Sequence, residues 1–105
     1  MKAYITYNNY DRYEYSLWSI TVCKASAKHA FNNRYKSEFI NSGSDDWSYL
    51  YLVEVDISED DYKVLSINED EFEVYNILEK VDYDPDAKII YEVAGGYWWK
   101  RLKLI

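Results

Sequence analysis

The sequence has few of the residues that usually organise a small fold through chemistry. It contains one cysteine, Cys23, and one histidine, His29. A lone thiol builds no intrachain disulfide framework, and the pair falls short of the several His or Cys ligands that zinc sites use. One proline and three glycines in 105 residues exclude collagen-like and low-complexity chains. Long apolar runs are missing as well. The longest, Tyr49 to Val53, is far below the roughly 18 to 20 residues of a membrane-spanning helix. The opening MKAYITYNNY has one lysine and no extended apolar stretch, so it does not read as a secretion signal. A soluble, cytoplasmic protein is expected. Common catalytic signatures, the nucleophile elbow, the phosphate-cradling loops and the zinc-protease helix, are absent.

What the chain does have is aromatic and acidic. With 49% hydrophobic and 19% aromatic residues it can bury one core, and its length fits a single domain over 1–105. The formal net charge of -7 is unevenly spread. Residues 45–86 hold fifteen acids against Lys63 and Lys80, whereas the flanks hold ten bases against Asp11, Glu14, Glu38 and Glu92. A block of this density repels phosphates and steers toward basic partners.

Alternation predicts strands over Lys2 to Tyr7 and Tyr15 to Cys23, the latter with Trp18, Ile20 and Val22 on one face, and the two pair as a hairpin. Ser26 is positioned to cap a helix with Ala27, Ala30, Phe31, Tyr35 and Phe39 inward. Trp47 to Ile57 reads as a central strand, because Leu50 and Leu52 make its first half apolar on both faces. Two helix starts echo each other: Ser58 with Asp61, and Asn68 with Glu71, have capping-box spacing, with Ile57/Tyr62 and Ile67/Phe72 as staples. They predict helices near 59–65 and 69–81, the second with Phe72, Tyr75, Leu78 and Val81 inward. A hairpin of Tyr62 to Ile67 with Phe72 to Ile77 is the competing pattern. Finally, Gly95-Gly96 predicts a two-residue turn that pairs Val93 with Trp98, Tyr91 with Lys100 and Ile89 with Leu102. The sum is an α+β domain: about five antiparallel strands, two hairpins plus a central strand, with helices on one side.

Candidate chemistry is sparse. Cys23 and His29 lack an orienting third residue for nucleophilic catalysis. Asp82-x-Asp84-x-Asp86 matches the start of a calcium loop, but Ala87 and Val93 stand where such a loop needs Gly and Glu. No metal, no cofactor and no enzymatic activity are expected. Tyr97, Trp98, Trp99, Lys100, Arg101 and Lys103 form an aromatic and basic hairpin, in which Trp98 faces the core and Trp99 beside Arg101 is an interface candidate.

In its compact, Tyr-, Asn- and Asp-rich segments NNYDRYEYSLW and SEDDYKVLSINEDEFEVY, the chain resembles the small inhibitors carried by phages and mobile elements of low-GC bacteria, including anti-CRISPR proteins. The resemblance is one of type and transfers no functional residue. It implies inhibition by binding in a bacterial host, with acids occupying a surface that a nuclease uses for DNA. On the residues themselves, Asp56, Glu59, Asp60, Asp61, Glu69, Asp70, Glu71 and Glu73 are the expected array, able to pair with the Arg side chains of a basic, nucleic-acid-handling protein such as a CRISPR nuclease. The alternatives are a small-molecule or peptide binder using Trp99, Tyr10, Tyr13 and Trp47, and an assembly partner of a phage particle.

Overall fold

The computed structural model describes residues 1–10, 14–37, 48–95 and 100–104. Its elements run β1 (Lys2–Tyr10), β2 (Glu14–Thr21), α1 (Lys24–Tyr35), β3 (Ser48–Asp56), α2 (Glu59–Ile67), α3 (Glu71–Asp82), β4 (Lys88–Gly95) and β5 (Lys100–Leu104). The class is α+β, and the strands form one antiparallel sheet in the order β2-β1-β3-β4-β5. As expected, β1 and β2 pair as a hairpin and β3 is central.

The expectation of helices on one side is overturned. Leu50 and Leu52 of β3 pack with Tyr4, Ile90 and Val93 against Ala27 and Phe31 of α1. Val53 and Val55, on the opposite side of the same strand, join Ile5 and Tyr7 against Leu65 of α2 and Val74, Ile77, Leu78 and Val81 of α3. A sheet whose central strands are apolar on both faces needs cover on both, so α1 takes one and α2 with α3 the other. The cover is electrically unlike: α1 carries Lys24, Lys28 and Arg34 without an acid, while 59–82 carries nine acids against Lys63 and Lys80.

Two inserted residues re-aim the strands. Thr6 faces Ser19 and Tyr7 faces Leu17, which leaves Trp18 as an extra residue in β2. Trp18 lies on the α1 face, with Arg34 Cζ 4.5 Å from its ring centroid, while Leu17 and Ile20 pack on the α2/α3 side. The expected common face of Trp18, Ile20 and Val22 therefore does not form, because a bulge breaks the period of two. In β4 the same thing happens at Ile90: Leu52 faces Tyr91 and Val53 faces Ile89, so Ile90 and Tyr91 both pack toward α1. The β4/β5 register also differs from expectation. Val93 faces Leu102 and Gly95 faces Lys100, so Gly95 is a ladder residue and not half of a two-residue turn.

The helix ends follow local chemistry. Ser58 Oγ accepts from Asp61 N at 3.1 Å and caps α2, whose first turn holds Glu59, Asp60 and Asp61, as suits the positive end of the helix dipole. Asn68 does not start the second helix as expected. With φ of 53° it ends α2 in the left-handed conformation, and its N–H donates to Val64 O. Asp70 caps α3 instead, Oδ1 accepting from Phe72 N and Glu73 N at 3.1 Å each. The later start leaves the buried stripe at Val74, Ile77, Leu78 and Val81, and Phe72, expected inward, is exposed. The competing hairpin of 62–67 with 72–77 is excluded by both helices. Ser26 is likewise not a cap: α1 begins at Lys24, behind Cys23, three residues before the start that a Ser26 cap would set. Among the described residues no helix is long and apolar enough to cross a membrane.

Candidate functional site

The acidic residues sit on the helical hairpin that covers one face of the sheet. Lys80 Nζ of α3 reaches Asp61 Oδ2 at the start of α2 over 3.1 Å, so the two helices run antiparallel. That arrangement divides the expected array. Asp56, Glu59, Asp60 and Asp61 gather where β3 hands over to α2, and Glu69, Asp70, Glu71 and Glu73 gather at the α2–α3 corner. A nine-residue helix separates the groups by roughly 13 Å, beyond the Debye length of about 8 Å at physiological salt, so each presents its own field.

The groups also differ in how far their charges are already satisfied. In the first, Asp56 Oδ1 takes the N-terminal amine at 2.8 Å, which holds its carboxyl below the usual range, and Asp61 is paired with Lys80. At the corner, Asp70 serves as a cap, while Glu69, Glu71 and Glu73 are exposed and enter no ion pair among the described residues. The same corner leaves two apolar side chains in solvent, Phe72 at 75% and Ile67 at 63% exposure. Beside it, a groove of about 460 Å³ opens between β2 and the start of α3, lined by Tyr15, Leu17, Asn68, Glu71 and Tyr75. The sequence pattern missed this juxtaposition because it assigned Phe72 to the core.

A second polar cluster, which sequence reasoning did not find, lies under the far end of α3. Asp82 Oδ1 accepts the Tyr7 hydroxyl at 2.7 Å, and Oδ2 accepts the Tyr15 hydroxyl at 2.9 Å and Asn9 Nδ2 at 3.3 Å. Tyr7 is 2% exposed, and burial, followed by the bond to Asp82, pushes its hydroxyl far above the ordinary value. Tyr15 is raised by the same two causes, and Tyr51, whose ring centroid is 5.4 Å from that of Tyr7, by burial first and Glu92 next. The Tyr7 and Tyr15 hydroxyls stay protonated at any physiological pH, so with Asn9 they are a fixed set of donors around one carboxylate.

No protein family, characterised protein or solved structure shows significant similarity to the chain.

The other expected residues are placed as follows. Trp99, Tyr13 and Trp47 lie outside the described residues; Arg101 is in β5 opposite Ala94, and Tyr10 ends β1 opposite Glu14. Cys23 is exposed at the start of α1, its thiol lowered by hydrogen bonds from Ser26, and His29 is exposed on the same helix. Asp82 is committed to its tyrosines, and Asp84 Oδ1 accepts from Asp86 N at 2.8 Å, closing the turn after α3. Among the described residues no group of three His, Cys, Asp or Glu side chains is arranged to hold a metal ion.

Proposed function

We propose that this chain is a non-enzymatic inhibitor that binds a basic, nucleic-acid-handling protein through the α2–α3 corner. The observation that carries the reading is the exposure of Phe72 and Ile67 amid Glu69, Glu71 and Glu73, which enter no ion pair among the described residues. Carboxylates alone are a solvated surface. Apolar side chains held in water in their midst supply the desolvated centre that a protein interface needs, and the acids supply the surrounding rim and the steering. A partner that grips phosphates presents Arg and Lys in the complementary pattern. A CRISPR nuclease, with its positively charged channel, is the partner the sequence resemblance suggests.

The test is a competition assay with a candidate nuclease and its DNA. Glu69→Lys with Glu71→Lys and Glu73→Lys should abolish inhibition, and Phe72→Ala should weaken it by a faster dissociation rate, with circular dichroism unchanged. Binding should also fall steeply between low and moderate salt. Inhibition that survives both the charge reversal and Phe72→Ala rejects the corner as the site.

A second reading, peptide binding, is favoured by one observation. β2 is an edge strand, and the groove beside it is lined by Tyr15, Leu17 and Tyr75, an arrangement that accepts an added strand. Binding that resists salt and depends on Leu17 in place of Glu71 would favour it.

A further inference from the structure

The face of the sheet opposite the acidic hairpin carries a concentration of positive charge that the proposed inhibitor surface does not use. Lys2 at the start of β1, Lys24 and Lys28 in the first turns of α1, and Lys88 at the start of β4 line a groove of about 500 Å³, closed on one side by Ile89 and Ile90. Among the described residues one acid answers them. Glu54 Oε1 lies 3.9 Å from Lys2 Nζ and Oε2 lies 4.0 Å from Lys88 Nζ, inside Coulombic range but too long for hydrogen bonds. Lys24 and Lys28 enter no ion pair among the described residues; Lys28 Nζ stands 5.8 Å from the centroid of the Tyr91 ring.

The positive charge here exceeds what the protein itself pairs, with Lys2 and Lys88 largely in solvent. Four lysines from three elements line the groove, and three of them, Lys2, Lys88 and Lys24, act on the carboxylate of Glu54, in a chain whose net charge of -7 offers many acids for pairing. Lys24 also stands at the positive end of α1, where α2 and α3 place acids. An anion entering the groove relieves both conflicts. Glu54 gives the groove direction: its Oε1 accepts the Tyr4 hydroxyl at 2.9 Å, which fixes the carboxylate, and Oε2, beside Lys88, accepts no hydrogen bond among the described residues. The side chain is only 16% exposed, so the carboxylate is held at the floor and not waved in solvent. The volume is in the range of small-ligand sites, about 300 to 1,000 Å³.

We propose that this groove binds a small phosphomonoester of a polyhydroxylated molecule, a sugar phosphate in chemical class, with the phosphate held by Lys24, Lys28 and Lys88 and a neighbouring hydroxyl donating to Glu54 Oε2. Three rotatable ammonium groups suit a phosphate as point charges, and a fixed carboxylate acceptor distinguishes a hydroxylated ester from a bare anion. A nucleic acid backbone is disfavoured, because Glu54 and the surrounding negative net charge oppose a polyanion.

The probes are inorganic phosphate, ribose 5-phosphate and a short DNA duplex, each titrated at low salt into the labelled full chain and followed by amide chemical shifts. Ribose 5-phosphate should perturb the amides of Lys24, Lys28, Lys88 and Ile89 saturably, and bind about tenfold tighter than inorganic phosphate, the increment of one charge-assisted hydrogen bond. Lys24→Gln with Lys28→Gln should remove binding of both phosphates, while Glu54→Gln should erase the preference for the ester and keep the affinity for inorganic phosphate. Equal affinity for the two phosphates, shifts away from the groove, or tighter binding of the duplex at the same amides would each overturn the proposal. Because the groove and the α2–α3 corner lie on opposite faces, corner variants such as Glu71→Lys leave this titration unchanged, and the two assignments fail separately.

Discussion

The Tyr7 hydroxyl donates to Asp82 Oδ1 over 2.7 Å, joining the middle of β1 to the last turn of α3 across 75 residues of sequence. With Tyr15 and Asn9 on the other oxygen, Asp82 is the polar clasp that fixes α3 to the sheet. Removing the carboxylate strands a buried Tyr7 hydroxyl, and an unsatisfied buried donor costs about 1 to 3 kcal/mol. Asp82→Ala should therefore destabilise the fold by about 3 kcal/mol and Tyr7→Phe by about 1 to 2 kcal/mol, as read from urea denaturation. A loss below about 1 kcal/mol for Asp82→Ala would mean that the clasp contributes little.

The same cluster sets an alkaline limit. Tyr7, Tyr15 and Tyr51 all have hydroxyls raised above the ordinary value, chiefly by burial. A raised folded-state value favours the protonated form, so this stability is complete below the unfolded-chain value of about 10 and is lost as pH climbs above it. Denaturation midpoints should hold level from neutral pH to about 9 and then fall. Tyr7→Phe should start from a lower plateau and fall less steeply; an equal slope would assign the limit to other groups.

At the acid end the sign reverses. Glu54 is lowered by the Tyr4 hydroxyl first and then by Lys2, Lys88 and Lys24, and Asp56 by the N-terminal amine. Their contribution is present above the ordinary carboxylate value of about 4 and disappears as pH falls through the lower folded values. Tyr4→Phe should move the Glu54 titration, followed by carboxyl chemical shifts, upward toward that ordinary value. A titration that does not move would show that the lysines alone hold it down.

Caps and corner should respond differently to mutation. Ser58→Ala and Asp70→Ala each remove a side chain that accepts first-turn N–H groups and should each cost about 1 kcal/mol. Phe72→Ala, at an exposed position, should change thermal stability by no more than about 0.5 kcal/mol. If Phe72→Ala destabilised the fold as much as a cap deletion, Phe72 would be a packing residue and the interface reading would lose its anchor.

Local signals were legible where one short stretch decides the outcome. Ser58 with three acids behind it marks a helix start without tertiary help, and Leu50 and Leu52 opposite Val53 and Val55 mark a strand covered on both faces. A strand apolar on both faces calls for helices on both, which the grouping of all helices on one side did not provide. Elsewhere the local pattern is ambiguous or interrupted. Asn68 has the chemistry of a cap but also tolerates positive φ, and the competition between the two roles is settled by Asp70, whose carboxylate takes two N–H groups at once. Trp18 and Ile90 are single extra residues that reverse the faces of everything beyond them, and a period-two pattern contains no mark of an insertion. The clasp at Asp82 was out of reach, because its partners lie between 67 and 75 residues away. The acidic block was visible as a block, but its division into two groups depends on α2 and α3 folding back on each other.

The sheet that parts α1 from α2 and α3 keeps the acid-free, basic helix α1 on one side and the nine acids of 59–82, with Lys63 and Lys80, on the other. A molecule built this way feels an orienting torque in any external field, so a charged surface turns it before the first contact is made. Encounters then begin in a preferred pose and the number of fruitless collisions falls, an advantage that fades as added ions shorten the reach of the field.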